Sequence, residues 1–464
     1  MVSSMSLHYK IVTKIAFCSL FLGTLLLGGC ISPKEIKNPD LESVQITSLR
    51  IEDKDNPNLK NTFFSIDHRE GIIYNAHLLP KDLALDSVKV VLARHSDAQV
   101  KFIIGGKQET SGSNDSLSFV NWKQGVSIQL SNSAKNMNKE YKLDIRTYSY
   151  DPQTFNWQVV SGAQIPNLTN VKKLLLKEHQ DKLLLFVGNT ANKTVVYASS
   201  KSNPSQWTLI NTTGLEGSVK DVTITPFGVA CLLTENDDFY LSSTDFTEWA
   251  SANIGSSVVS ILGSFVEPGE KKSTIALILR NGSTNKLHFG TLEGSSVVSG
   301  ELVPEDFPIE NFTSISMKVA QHPMLVLVGS HLKNGTSQKA QTWTSTSGKD
   351  WLRLPSPEGS NLGVSVHEPV LLYDETIGRM YCLFPAHFTE ANPQMKVFFS
   401  DDKGVAWTEG NGTLMLPPTP FGIRSKHLIG YFATPHTLYL LGGMLQDGSI
   451  PVDIWKGTPR IYTE

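Results

Sequence analysis

The chain has 464 residues, with 41 Lys and Arg against 44 Asp and Glu and a formal net charge of −3 at pH 7. Charge so evenly balanced leaves no basic face, which excludes nucleic acid as an expected partner. The 35 Gly and 23 Pro punctuate short runs rich in β-branched and aromatic residues, and the one Leu/Lys pattern of helical flavour, Val171 to Leu185, is broken by His179 and Asp181. The expected fold class is all-β.

The first residues read as a processing signal. Lys10 and Lys14 precede an uncharged apolar stretch, Ile15 to Leu27. As a helix it would span about 20 Å, against roughly 30 Å for a bilayer core, so it suits a signal peptide better than a membrane span. Leu27-Gly28-Gly29-Cys30 follows directly and resembles the lipobox of bacterial lipoprotein precursors. The small residues let a peptidase reach the backbone, and the Cys thiol is the acylation point. The resemblance implies a signal peptide of residues 1–29, lipidation at Cys30 and a membrane as the first partner, held through acyl chains. Residues 30–41 are polar with two prolines and read as a tether. The expected place is the outer membrane, at the cell surface or on the periplasmic face; Glu35 is the one acid among the five residues after Cys30, short of an acidic surface-export cluster.

Residues 42–150 contain the strand candidates VQITSLRI, TFFSID, IIYNAHL, SVKVVLA, QVKFIIGG, LSFVN, GVSIQLS and EYKLDIRTY. Several alternate, as Tyr141, Leu143 and Ile145 do with Lys142 and Asp144, which puts one face on a core and one in water. Seven or eight short strands at this density suit an immunoglobulin-like β-sandwich.

Residues 151–464 repeat. An apolar strand, a second strand, a polar turn and a Trp recur in KLLLFVG to Trp207, GVACLLT to Trp249, PMLVLVGS to Trp351 and RMYCLFP to Trp407; STIALILR to LEGSS lacks the Trp, and TLYLLGG leads to VDIWKGTPRIY. A period near fifty residues with about four strands per unit marks a β-propeller. The count is six blades, or seven if Tyr148 to Trp157 belongs to a full blade and not to a closing strand. Cys231 and Cys382, inside apolar runs, read as two small core hydrophobes on opposite sides of a six-bladed ring.

Ser400-Asp401-Asp402-Lys403-Gly404-Val405-Ala406-Trp407 resembles the Asp-box of sialidase-like propellers. Asp402 is expected to accept hydrogen bonds from its own turn, Gly404 to adopt positive φ, and Trp407 to pack between blades. Thr344 to Trp351 keeps three of the four marks, with Thr346 at the Asp position. Such a turn stabilises the fold on the outside of a blade, so Ser400, Asp402, Gly404 and Trp407 are structural residues. Gly442-Gly443 ends an apolar strand in a kelch-like manner and permits close blade packing.

The sialidase likeness raises glycoside hydrolysis, which would require an arginine triad, a Tyr/Glu pair and an Asp acid. The propeller has Arg280, Arg353, Arg379, Arg424 and Arg460 only, without the expected Arg-Ile-Pro motif. No catalytic residue, metal ligand set or cofactor is assigned. The blade joins Val366-His367-Glu368-Pro369 and Phe421 to His427 bring polar and aromatic groups together, and His367, Glu368, Phe421, Arg424 and His427 are the candidate binding residues. As a whole, the chain resembles uncharacterised Bacteroidales lipoproteins with an immunoglobulin-like sandwich and an Asp-box or kelch-like propeller. The expected function is non-enzymatic binding of a glycan or of a cell-envelope or host protein; the alternative is a divergent glycoside-acting enzyme.

Intact mass spectrometry is expected to find a mature chain beginning at an acylated Cys30, and Cys30→Ala to leave a soluble or uncut protein. An unmodified N-terminus elsewhere contradicts the reading.

Overall fold

The computed structural model describes residues 42–81, 83–109, 116–166, 168–319, 321–333, 336–355, 362, 368–433 and 436–461. The signal segment, Cys30 and the tether lie outside the described residues. The chain divides into two compact units, one ending at Arg146 and the other beginning at Thr147. Among the described residues no helix is long and apolar enough to cross a membrane.

The first unit is a two-sheet sandwich. Ile46–Asp53, Val88–Arg94 and Ser116–Leu117 form one sheet; Phe64–Asp67, Ile72–Asn75, Met137–Asp144, Val126–Asn132, Gln99–Ile104 and Lys107–Glu109 form the other, in that spatial order. Ile72–Asn75 runs parallel to Met137–Asp144, and the remaining pairs are antiparallel. Alternation aims one side of each strand inward: Val126, Ile128 and Leu130 are buried, and meet Ile46, Ile51 and Val88 of the opposing sheet in one core.

The second unit is a six-bladed β-propeller of four-stranded antiparallel sheets. The innermost strands are Val171–His179, Val219–Ile224, Ser257–Phe265, Phe312–Val319, Val370–Asp374 and Leu428–Ala433, for blades 1 to 6. Each packs beside the next, and the sixth returns to the first. Second strands such as Ala230–Thr234 and Arg379–Phe384 are buried along their whole length, because both faces are covered by blades. They therefore read as unbroken apolar runs rather than as alternation.

Ring closure comes from the two ends of the unit. Tyr150–Gln164 pairs with the last strand, Asp453–Ile461, and forms the outer edge of blade 6. Tyr150 to Trp157 thus belongs to the closing strand, with Tyr148 just ahead of it, and the count is six. Blade 5 holds this segment in place. The buried Arg379 guanidinium donates from Nε to Asp401 at 2.6 Å and from Nη2 to the Tyr148 hydroxyl at 2.8 Å. Tyr381 donates to the Pro152 carbonyl at 2.9 Å, and Tyr150 meets His436 Nδ1 at 2.8 Å, itself 3.0 Å from Asp374. Burial pushes the Tyr148 and Tyr150 phenols well above their ordinary range, so both stay neutral donors.

The turn after the third strand of blade 5 closes on itself. Asp402 accepts from Ser400 Oγ and from the Ala406 amide, both at 2.8 Å, and Ser400 Oγ accepts from the Gly404 amide at 2.8 Å. Gly404 has φ +92, and a Cβ there would lie 2.9 Å from Thr342 of blade 4. Trp407 is buried among blade 4 and 5 residues and donates to Thr342 Oγ1 at 2.9 Å. Trp249 and Trp351 likewise pack back onto the preceding blade, whereas Trp207 is only half-buried. In blade 4 the register is one residue off expectation: Ser345, not Thr344, ends the third strand and accepts from the Gly348 amide at 2.7 Å, because that turn is one residue shorter. Gly442 sits where a Cβ would lie 2.7 Å from the His427 carbonyl and 3.2 Å from Leu174 of blade 1. Cys231 and Cys382 are free, buried thiols in blades 2 and 5, and burial pushes Cys231 up to about 12.

Asp401→Asn removes the carboxylate that neutralises buried Arg379. Since Asp401 is partly exposed, the cost is expected at about 3 kcal/mol, the low end for breaking a buried pair. Urea unfolding checks it, and an unchanged midpoint contradicts the role given to this pair.

Candidate functional site

The six innermost strands enclose a central channel of about 660 Å³, within the range of small-molecule sites. Charged groups occupy it at three levels, set by how far along the parallel inner strands they stand.

Near the strand starts, Glu368 of blade 5 accepts from Lys173 Nζ of blade 1 at 3.1 Å and from the His427 amide of blade 6 at 2.8 Å, with the His427 ring nitrogen Nδ1 at 3.4 Å. Burial opposes ionisation of Glu368, but the His427 hydrogen bond and the Lys173 ammonium outweigh it and hold the carboxyl well below the usual carboxylate range. Glu368 and His427 both have positive φ, 53 and 68, an uncommon backbone state that this three-blade clasp over-determines.

At mid-channel stand Lys177 of blade 1 and Asp221 of blade 2. Register shifts fall between Val171 and Lys173 and between Val219 and Asp221; a bulge at such a place re-aims a side chain relative to its neighbours. Asp221 accepts from the Val222 amide at 2.8 Å and the Ile261 amide at 3.0 Å. Burial pushes its carboxyl up, against the pull of Lys177 and of those amides. Burial pushes the Lys177 ammonium down, with Asp221 opposing and Lys173 adding. Among the described residues the Lys177 ammonium closes neither a hydrogen bond nor an ion pair within 4.0 Å.

At the strand ends, in the mouth formed by the first hairpin of each blade, Glu178 pairs with Lys201. Burial raises the Glu178 carboxyl, Lys201 opposes and Glu375 adds to the rise. Asp374, Glu375, Thr376, His179 and His436 complete this rim.

The predicted binding residues divide sharply. Glu368 and His427 do meet: the carboxylate is taken up by Lys173 and the His427 amide, and the His427 ring is buried with no hydrogen-bond partner at Nδ1. Phe421 and Arg424 are not surface groups: each is 1% exposed. The Arg424 guanidinium lies 4.1 Å over the Phe421 ring and donates to the Phe421 carbonyl at 2.7 Å, the Gly442 carbonyl at 2.6 Å and Asp453 at 3.3 Å. They lock a blade join and offer a ligand nothing. His367 lies outside the described residues. Lys177 and Asp221 were missed; the only local signal for Lys177 was a second lysine four residues after Lys173 on a strand, hence on the same side. Among the described residues no group of three or more His, Cys, Asp or Glu is arranged to hold a metal ion.

Two family models match. One, described as the DUF6242 beta propeller domain, covers residues 151–460; the other, the DUF6242 N-terminal domain, covers residues 37–145. No curated protein matches the sequence. Similar solved structures include a protein of unknown function from Bacteroides thetaiotaomicron (11% identity, TM-score 0.42, covering 83% of this chain and 100% of that one). An α-L-arabinofuranosidase of Fusarium graminearum is 13% identical with a TM-score of 0.40, over 66% of this chain and 98% of its own. The Aleuria aurantia lectin, solved with α-methyl-L-fucoside, is 13% identical with a TM-score of 0.40, over 62% and 92%. Likenesses this distant carry no argument about activity.

Glu368→Gln is expected to cost about 1–3 kcal/mol at pH 7 through the lost charge on the clasp. Because the folded carboxyl titrates below its unfolded value, the wild-type advantage is full above roughly pH 5 and shrinks as pH falls below about 4.3. Denaturant unfolding of both proteins across that window checks it, and a gap that persists undiminished into acid contradicts it.

Proposed function

The chain belongs to the DUF6242 family, an N-terminal domain followed by a β-propeller, and from that premise we propose that it is a membrane-anchored lipoprotein whose propeller channel binds glycan without turning it over. Lipid at Cys30 and the polar tether would present the sandwich, immunoglobulin-like in strand number, and the propeller at the outer membrane, on the surface or periplasmic side. The Asp-box-like turns serve the fold and leave the channel to the ligand.

One observation carries the reading: Lys177 and Asp221 both line the channel, and among the described residues the Lys177 ammonium closes no hydrogen bond. An ammonium offers donors only, whereas a carboxylate has about four acceptor sites, of which two are taken here. A sugar hydroxyl accepts from one group and donates to the other, so a hydroxyl-rich neutral ligand completes the pair. Desolvation then strengthens both bonds relative to water.

A second reading has its own support. Burial raises the Asp221 carboxyl, which is the condition of a general acid in glycoside hydrolysis, and Glu178 at the mouth offers a second carboxylate on the same channel.

A glycan array run beside a hydrolysis screen, on soluble protein from Asn38 onward, separates the two. Binding without turnover is expected. Lys177→Met is expected to weaken the best array ligand by about tenfold or more, the value of a hydrogen bond to a charged group, with thermal stability kept, because among the described residues the ammonium closes no hydrogen bond or ion pair that the substitution would break. Turnover abolished by Asp221→Asn or Glu178→Gln establishes the enzyme reading instead; silence in both assays points to an envelope or host protein.

A further inference from the structure

The two mouths of the channel differ in what they leave free. At the strand starts, Glu368 is taken up by Lys173 and by the His427 amide, and the His427 ring is buried. At the hairpin mouth, Glu178 keeps 39% of its side-chain surface accessible, and Glu375 and Thr376 are exposed.

The same mouth carries an exposed aromatic ring. Phe227 stands at the tip of the first hairpin of blade 2 and is 51% exposed. Among the described propeller residues no other Phe, Tyr or Trp is classed as exposed. Its turn is rigid: the Thr225 amide donates to the Val229 carbonyl at 2.8 Å and the Gly228 amide to the Thr225 carbonyl at 2.9 Å. Gly228, at φ +87, lets the turn press on blade 1, since a Cβ there would lie 2.9 Å from His179 Nε2. His179 in turn sets its ring edgewise to Phe246 at 6.2 Å. Thr225, Pro226 and His179 line the channel itself, so Phe227 stands on its rim, one residue beyond the wall.

An aromatic side chain held out in water on a braced turn has lost its burial without gaining freedom. Two neighbouring features say what would cover it. The ring adjoins a channel whose free groups are hydroxyl-binding ones, so the ligand must present an apolar face and polar edges together. A pyranose ring does this: its axial C–H bonds form a flat apolar face and its hydroxyls radiate from the rim. We infer that Phe227 is the stacking platform of a glycan site at the hairpin mouth, where a pyranose lies on its ring and directs hydroxyls toward Glu178 on the neighbouring blade 1. This inference rests on the glycan-binding reading of the channel and adds the entry face and the ring-form requirement.

Isothermal titration calorimetry on the full mature chain in detergent tests it, with methyl β-D-galactoside, methyl β-D-glucoside and cellotriose as pyranose probes and sorbitol as an open-chain polyol. At least one pyranose is expected to bind and sorbitol not. Phe227→Ala should weaken binding by about tenfold, in line with the value of an aromatic stacking contact, and Phe227→Tyr should restore it, which a merely misfolded site would not allow. Pyranose binding that is lost in Lys177→Met but unchanged in Phe227→Ala overturns the platform and leaves the channel reading standing. Sorbitol binding as tightly as the glycosides overturns the ring-form requirement. Absence of binding by every probe overturns the inference together with the glycan reading.

Discussion

The structure depends on one strand pairing, Tyr150–Gln164 against Asp453–Ile461. A propeller has no edge problem only when its ring is shut, and here the two partners stand about three hundred residues apart in the chain. Closing so long a loop costs entropy that grows slowly with length, but the pairing must still be held against fraying at a terminus. Blade 5 supplies that hold through Arg379, Asp401 and Tyr381, whose bonds reach Tyr148 and the Pro152 carbonyl. Without the closure, blades 6 and 1 would part, Leu174 would lose its place against Gly442, and the clasp from Lys173 to Glu368 would have nothing to span.

The channel chemistry follows from the closed ring. Six inner strands hold charged side chains in a confined space, where each charge must find a partner or shift its protonation. Glu368 finds two partners and stays ionised. Asp221 and Lys177 attract at a distance and move toward neutrality from opposite sides. That channel-lining pair stands apart from the structural ion pairs around it: Arg379 with Asp401 anchors the closing segment, and Arg424 with Asp453 locks a blade join.

Much of the fold was legible in the chain because its signals are local. Unbroken apolar second strands, Trp207, Trp249, Trp351 and Trp407 at a regular spacing, and the turn residues around Gly404 each report on a few neighbouring residues. The site was less legible because its parts are distant. Arg424, flanked by Gly422, Ile423 and Ser425, reads as a loop residue; what buries it is the Gly442 carbonyl and Asp453 on later strands. The role of Tyr148 to Trp157 turned on a partner at the far end of the chain. Lys177 and Asp221 are brought into one channel by the rotation between blades 1 and 2, which no periodicity in either segment displays.

The central claim is that the closed ring holds the Lys177 ammonium in the channel with Asp221, where among the described residues it closes no hydrogen bond or ion pair. NMR titration of ¹³C-labelled lysines, with Lys177→Arg to assign the resonance, measures this most directly. Lys177 is predicted to titrate below the other lysines, and lower still in Asp221→Asn, where the attracting carboxylate is gone. A Lys177 that titrates with the surface lysines, unmoved by Asp221→Asn, would contradict the account.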